Sequence, residues 1–187
     1  MRKLLGVFAV LVMVLSACSS GNTEDPNVDS SPSETVTEGP VEGLSVGDIA
    51  PDIELTTLEG DTVHLSDYRG KVVFLNFWTT WCPYCHKEMP SMQRMYEKYG
   101  EDGFIILALD IAEDAETVRR YMEENNLTFP AFLYHGSLTS HPMNKTSGTP
   151  QTYIIDRDGI IVDYVSGYRD WDVLGNQASI KRALQDR

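Results

Sequence analysis

Apolar residues change their spacing several times along this chain, and each change predicts an element. Residues 53–57 and 62–65 carry short strand-like patterns on either side of Glu59-Gly60-Asp61, which predicts a hairpin. Val72–Trp78 and Phe104–Asp110 are almost unbroken apolar runs, as expected of strands buried on both faces. Between them Cys85, Met89, Met92, Tyr96 and Tyr99 recur at helical spacing, which predicts a helix with these residues on its packed face. Pro90 should kink that helix and Gly100 should end it, while Met89 and Met92 fill the core. Residues 114–126 predict a second helix with Val118, Tyr121 and Met122 as its apolar face, and residues 129–134 a further strand. A second hairpin is expected from residues 152–155 and 160–165 around Asp156-Arg157-Asp158-Gly159, with a closing helix over 171–184. Strands and helices alternate as in one small α/β domain over residues 44–187, and about 140 residues suit a single core.

The first 43 residues follow other rules. Arg2 and Lys3 precede the apolar residues 4–15, a run too short for a confident membrane span but suited to a signal peptide over residues 1–17. Residues 19–43 contain no Lys, Arg or aromatic side chain and are rich in Ser, Thr, Glu, Asp, Pro and Gly. Such an acidic stretch has too little apolar surface to order itself, so residues 18–43 are expected to be a disordered linker. Its end-to-end reach would be on the order of 25–30 Å. The formal net charge of −13 argues against nucleic acid or anionic headgroups as partners of the domain. No internal repeat or glycine-rich phosphate loop is visible, and Gly100 to Gly103 reads as a helix exit.

The chemistry centres on Cys82-Pro83-Tyr84-Cys85, which leaves the first buried run and opens the helical pattern. Two thiols at this spacing can close a small disulfide and so hold or release two electrons. The helix N-terminus favours an anion, which makes Cys82 the nucleophile and Cys85, one turn further in, the more buried resolving thiol. Half a zinc site is the competing reading, but zinc wants four ligands and no second C-x-x-C occurs. The chain therefore reads as a thiol–disulfide redox protein, with no metal and with the Cys82–Cys85 pair in place of a separate cofactor.

Trp81-Cys82-Pro83-Tyr84-Cys85, followed by Thr149-Pro150 ahead of a strand, resembles the thioredoxin fold. More narrowly, Gly47-Asp48-Ile49-Ala50-Pro51-Asp52, Leu65-Ser66-Asp67-Tyr68-Arg69-Gly70-Lys71 and Asn76-Phe77-Trp78-Thr79-Thr80-Trp81-Cys82 resemble the TlpA/ResA type of extracytoplasmic thiol–disulfide oxidoreductase. The resemblance spans essentially everything after Leu44. It implies a central mixed β-sheet flanked by helices with an N-terminal β-hairpin extension. It also implies that Pro150 is cis and faces the redox pair, and that the Thr149 backbone pairs with a bound substrate strand. Trp81, Pro83 and Tyr84 join Thr149 and Pro150 as the expected substrate-binding residues. Asn76 stands where cytosolic thioredoxins place a buried Asp, and Asn cannot titrate. Glu88 matches the acidic residue that TlpA/ResA-type proteins use near the pair, where a carboxyl withdrawn from water could relay a proton. The plainer reading of Glu88 is a solvated helix residue beside Lys87.

Leu15-Ser16-Ala17-Cys18 resembles the bacterial lipobox, which implies that Cys18 is lipidated and anchors the protein to the cell membrane on its extracytoplasmic side. The implied activity is reduction of disulfides in client proteins, with apocytochrome c or methionine sulfoxide reductases as client types. A membrane thiol–disulfide donor of the CcdA/DsbD kind would recharge the dithiol, and the protein is expected to act as a monomer. Two other readings stay open. Ala50-Pro51-Asp52 and Thr79-x-x-Cys82 echo peroxiredoxins and suggest a thiol peroxidase, although Leu75 stands where that motif carries Pro. His135, His141 and Met143, together with the cysteines, suggest a copper chaperone, although chaperones of this fold use C-x-x-x-C. His86 is expected to be an exposed helix residue whose charge could tune the pair.

Overall fold

Every residue of Val72–Trp78 and of Phe104–Asp110 is buried, and the two strands pair in parallel at the centre of a seven-stranded mixed sheet. The structure is a computed structural model and describes residues 39–134, 141–145 and 148–186. In chain order the elements are β1 (Glu54–Thr57), β2 (Thr62–His64), β3 (Val72–Trp78), α1 (Pro83–Tyr99), β4 (Phe104–Asp110) and α2 (Ala115–Glu124). They continue with β5 (Ala131–Leu133), β6 (Gln151–Ile155), β7 (Ile161–Ser166) and α3 (Ala178–Gln185). The sheet order is β2-β1-β5-β4-β3-β6-β7. β3, β4 and β5 run parallel, β6 and β7 close one side antiparallel, and the β1–β2 hairpin extends the other by pairing antiparallel with β5.

The period of two along β3 sorts its side chains into two cores. Val72, Phe74 and Trp78 pack with Met89, Met92 and Met95 of α1, Val118 and Met122 of α2, and Ile180 and Ala183 of α3. Val73, Leu75 and Phe77 face Ala50, Ile53, Leu65 and Met143 instead. Asn76 therefore points, fully buried, to the face that carries α1. All three α1 methionines are core residues, Met95 included, so none forms a soft surface for substrates.

Several expectations shift. Gly100 caps α1 as expected, but with a helical φ of −57°: a short 3-10 turn follows over Gly100–Asp102, and the left-handed exit falls at Gly103 with φ 87°. Only a residue without Cβ takes that backbone freely. α1 spans Pro83–Tyr99 with Pro90 inside it. The strand expected over 129–134 shortens to Ala131–Leu133.

The closing helix begins later than its apolar pattern suggested. Trp171 precedes it in a turn, the 3-10 segment Leu174–Gln177 follows, and α3 starts at Ala178. The physical reason is that Trp171 is a core anchor: it is 1% exposed and stands edge-on to Phe74, ring centroids 4.8 Å apart. Its backbone N–H donates to Ser91 Oγ (3.1 Å), and its carbonyl accepts from the Gln177 amide. Finally, the ordered fold starts before Leu44. Gly43 N–H donates to the Ile49 carbonyl and Ile49 N–H to the Val41 carbonyl, so the last residues assigned to the linker belong to the domain edge. The signal segment, Cys18 and most of the linker lie outside the described residues, as does His135. Among the described residues no helix is long and apolar enough to cross a membrane.

Candidate active site

β3 ends at Trp78, three residues turn, and Cys82 becomes the N-cap of α1. Pro83 occupies the first helical position, where its missing N–H costs nothing and its fixed φ suits the helix. Cys82 and Cys85 form a disulfide with their Cα atoms 5.2 Å apart. Cys82 Sγ accepts the backbone N–H of Cys85 at 3.2 Å, so one unpaired donor of the helix N-terminus points at this sulfur. Cys85 is fully buried and Cys82 retains 4% exposure, which orders the two thiols as expected.

A cleft of about 290 Å³ opens beside the pair, lined by Trp81, Cys82, Pro83, Tyr84, Ile111, Gly148 and Thr149. Trp81 and Tyr84 are largely exposed, and Tyr84 lies near Tyr168 with Lys87 Nζ over its ring at 5.2 Å. The Thr149-Pro150 peptide bond is cis. Next to it Gln151 is fully buried and holds the preceding loop, its amide donating to the Gly148 carbonyl (2.9 Å) and to Asn144 Oδ1 (3.1 Å). Trp81, Pro83, Tyr84 and Thr149, expected from the sequence to bind substrate, thus meet with Cys82 on one cleft, and Pro150 follows Thr149 just outside its lining.

Behind Cys85 lies Glu88, one helical turn on and fully buried. The solvated alternative for this residue does not hold. Glu88 Oε1 accepts Asn76 Nδ2 at 2.9 Å, and the same amide reaches Thr152 Oγ1 at 3.0 Å. Burial pushes the Glu88 carboxyl up to about 8, against the weaker downward pull of Asn76, the Arg169 backbone and the Trp171 side chain. Neither Glu88 Oε2 nor Trp171 Nε1 makes a hydrogen bond of ordinary geometry. The cost of keeping this carboxyl away from water is what raises it. Trp171 supplies part of that cover, a role its place in the sequence did not signal.

The support under the redox turn has no signature in the local sequence. Thr80 N–H donates to Glu113 Oε2 at 2.6 Å, Thr80 Oγ donates to Glu113 Oε1, and the Thr80 carbonyl accepts from His86 Nε2. His86 is exposed, as expected, but it is also tied to this turn and packs on Tyr121 at 5.0 Å. His141, considered for copper, is buried against Phe77 and Tyr134, and its Nδ1 accepts the Met143 N–H at 3.1 Å. Burial pushes its imidazole down to about 4. Met143 is fully buried in the sheet core, so both side chains serve packing.

A parallel-centred sheet, a disulfide at a helix N-cap, and a cis Thr149-Pro150 bond whose threonine lines the same cleft define a thioredoxin-like protein of thiol–disulfide exchange. The AhpC/TSA family profile matches residues 46–164. The thiol-disulfide oxidoreductase ResA of Bacillus thuringiensis subsp. konkukian is 40% identical over 129 residues, 67% of this chain and 72% of the relative. ResA of Geobacillus kaustophilus is 40% identical over 124 residues, covering 66% and 71%. Among solved structures, a thiol:disulfide interchange protein from Bacteroides sp. aligns with TM-score 0.63 at 27% identity, over 70% of this chain and 86% of that one. The chain belongs to the AhpC/TSA family and, within it, is a thiol–disulfide oxidoreductase of the TlpA/ResA type.

Proposed function

We propose that the chain reduces disulfides in client proteins outside the cytoplasmic membrane, to which lipid on Cys18 tethers it through the acidic linker. The observation that carries this reading is the arrangement of the pair: Cys82 at the helix N-cap beside an open cleft, and Cys85 buried one turn from Glu88. Cys82 thiolate attacks one sulfur of the client disulfide, forming a Cys82–client bond and releasing one client thiolate. Cys85 loses its proton to ionised Glu88 and attacks Cys82 Sγ, which releases the second client thiolate and closes the disulfide. Two electrons pass to the client, whose thiolates take up protons from water. A membrane dithiol donor of the CcdA/DsbD kind reverses the sequence, and Glu88 returns its proton to Cys85 as the disulfide opens.

Trp81, Pro83 and Tyr84 form the cleft floor on which the client segment lies, and the Thr149 backbone, ahead of cis-Pro150, offers it strand-like hydrogen bonds. The pair itself is the only redox group this chemistry requires, and the protein acts as a monomer. Apocytochrome c and methionine sulfoxide reductases are the client types proposed from the family resemblance. The AhpC/TSA match makes hydrogen peroxide the control substrate. When the reduced protein is mixed in parallel with a disulfide-bonded protein and with peroxide, dithiol exchange should outrun peroxide consumption by a wide margin. Comparable rates would make the chain a thiol peroxidase.

A further inference from the structure

Thr80 carries three hydrogen-bonding groups, and all three are engaged by residues that flank the redox turn. Its N–H and its hydroxyl both go to the Glu113 carboxylate, and its carbonyl takes His86 of α1. Two residues on, Cys82 N–H closes the turn onto the Thr79 carbonyl at 3.2 Å. Glu113 is itself held in place at the end of β4. Asp110 Oδ1 accepts the N–H groups of Ala112 (2.9 Å) and Glu113 (2.7 Å), while Ile111 N–H reaches the Trp78 carbonyl at 3.3 Å. The carboxylate therefore reaches Thr80 from a fixed base and ties the end of β3 to the end of β4. Bonds from N–H and O–H to an ionised carboxylate are the stronger class of hydrogen bond.

We propose that Glu113 is a positioning residue for thiol exchange: by clamping Thr80 it fixes the turn on which Cys82 Sγ is presented to the client and to the Cys85 N–H. This rests on the reading above in which Cys82 is the attacking thiol. Attack on a disulfide requires the three sulfurs nearly in line, so a turn free to swing spreads Sγ over unproductive positions. It also loosens the N–H···S contact that favours the thiolate. Glu113 has a second, opposing influence, because a carboxylate near a thiolate disfavours ionisation. Removing Glu113 alone would mix the two effects. Removing only the Thr80 hydroxyl leaves the charge in place and separates them.

The test compares Thr80→Val, Thr80→Ser and Glu113→Ala with the unmodified protein, all with the pair reduced. The readouts are the iodoacetamide alkylation rate of Cys82 at pH 7, located by peptide mass mapping, and kcat and KM for a protein disulfide. Thr80→Val should slow alkylation by about tenfold and lower kcat with little change in KM, and Glu113→Ala, which also removes a negative charge, should slow it less. Thr80→Ser, which keeps the hydroxyl, should recover most of the rate. A Thr80→Val protein as reactive as the parent, or as reactive as the Thr80→Ser protein, overturns the proposal. If Glu113→Ala does not fold, the Thr80→Val and Thr80→Ser pair decides alone. Alkylation of Cys85 ahead of Cys82 in the unmodified protein would overturn the attacking-thiol assignment itself, a result distinct from a Cys82 that reacts but ignores Thr80.

Discussion

Cys82→Ser abolishes reduction of a protein disulfide, whereas Cys85→Ala leaves one attack intact and traps the client as a mixed disulfide. The asymmetry follows from geometry. Cys82 retains contact with the cleft and accepts the Cys85 N–H, while Cys85 is sealed beneath it and can reach only Cys82 Sγ. Turnover in either variant should fall by at least about a thousandfold, equivalent to roughly 4 kcal/mol of transition-state stabilisation. The two losses differ in kind. Non-reducing electrophoresis after mixing with a disulfide-bonded protein should show a covalent adduct with Cys85→Ala and none with Cys82→Ser. An adduct only in Cys82→Ser would reverse the roles of the two sulfurs.

Glu88→Gln should make the protein a slower enzyme and a more stable one at alkaline pH. The carboxyl titrates near 8 in the folded protein against an ordinary value of 4.5, with burial as the chief cause. A folded state that holds the proton more tightly than the unfolded chain is favoured when the proton is bound. That stability is fully present below about 4.5 and drains away as pH rises through about 8. The group's whole contribution is on the order of 3–5 kcal/mol, lost across that window. The amide introduced by the substitution would keep an oxygen to accept Asn76 Nδ2 and would never ionise, so urea unfolding of the oxidised protein should lose most of this pH dependence. At pH 9 the variant should be the more stable protein. The same change removes the group that exchanges a proton with Cys85, and the resolving step should slow on the order of a hundredfold. A variant with unchanged resolution rate and unchanged pH dependence would return Glu88 to a purely structural part.

The elements that position the pair were legible because each has an uninterrupted signature. β3 and β4 are continuous apolar runs, and α1 carries its core residues at helical spacing. Cys82, Cys85 and Pro83 announce a helix start by their own chemistry. What stayed hidden depends on residues distant in sequence. Trp171 looks like the first apolar position of the last helix, yet its packing on Phe74 and its bond to Ser91 pull it out of that helix and over Glu88. Glu113 looks like one more acid in an acidic stretch, and only the parallel pairing of β3 and β4 brings it under Thr80. Gln151 reads as a polar interruption ahead of a strand, and its function of holding the loop before Pro150 appears only once that loop has folded back on it. His141 and Met143 invited a metal reading for the opposite reason: their chemistry is conspicuous in sequence, and burial assigns them to the core.

Donation of electrons from the Cys82–Cys85 dithiol to clients, the direction proposed above, stands or falls with the reduction potential of the pair. Equilibration with glutathione or a thioredoxin couple, followed by quantifying free thiols, should yield a value near or below about −250 mV, in the range of thioredoxin. A value near about −120 mV, where DsbA lies, would make the chain an oxidant that introduces disulfides and would contradict the account.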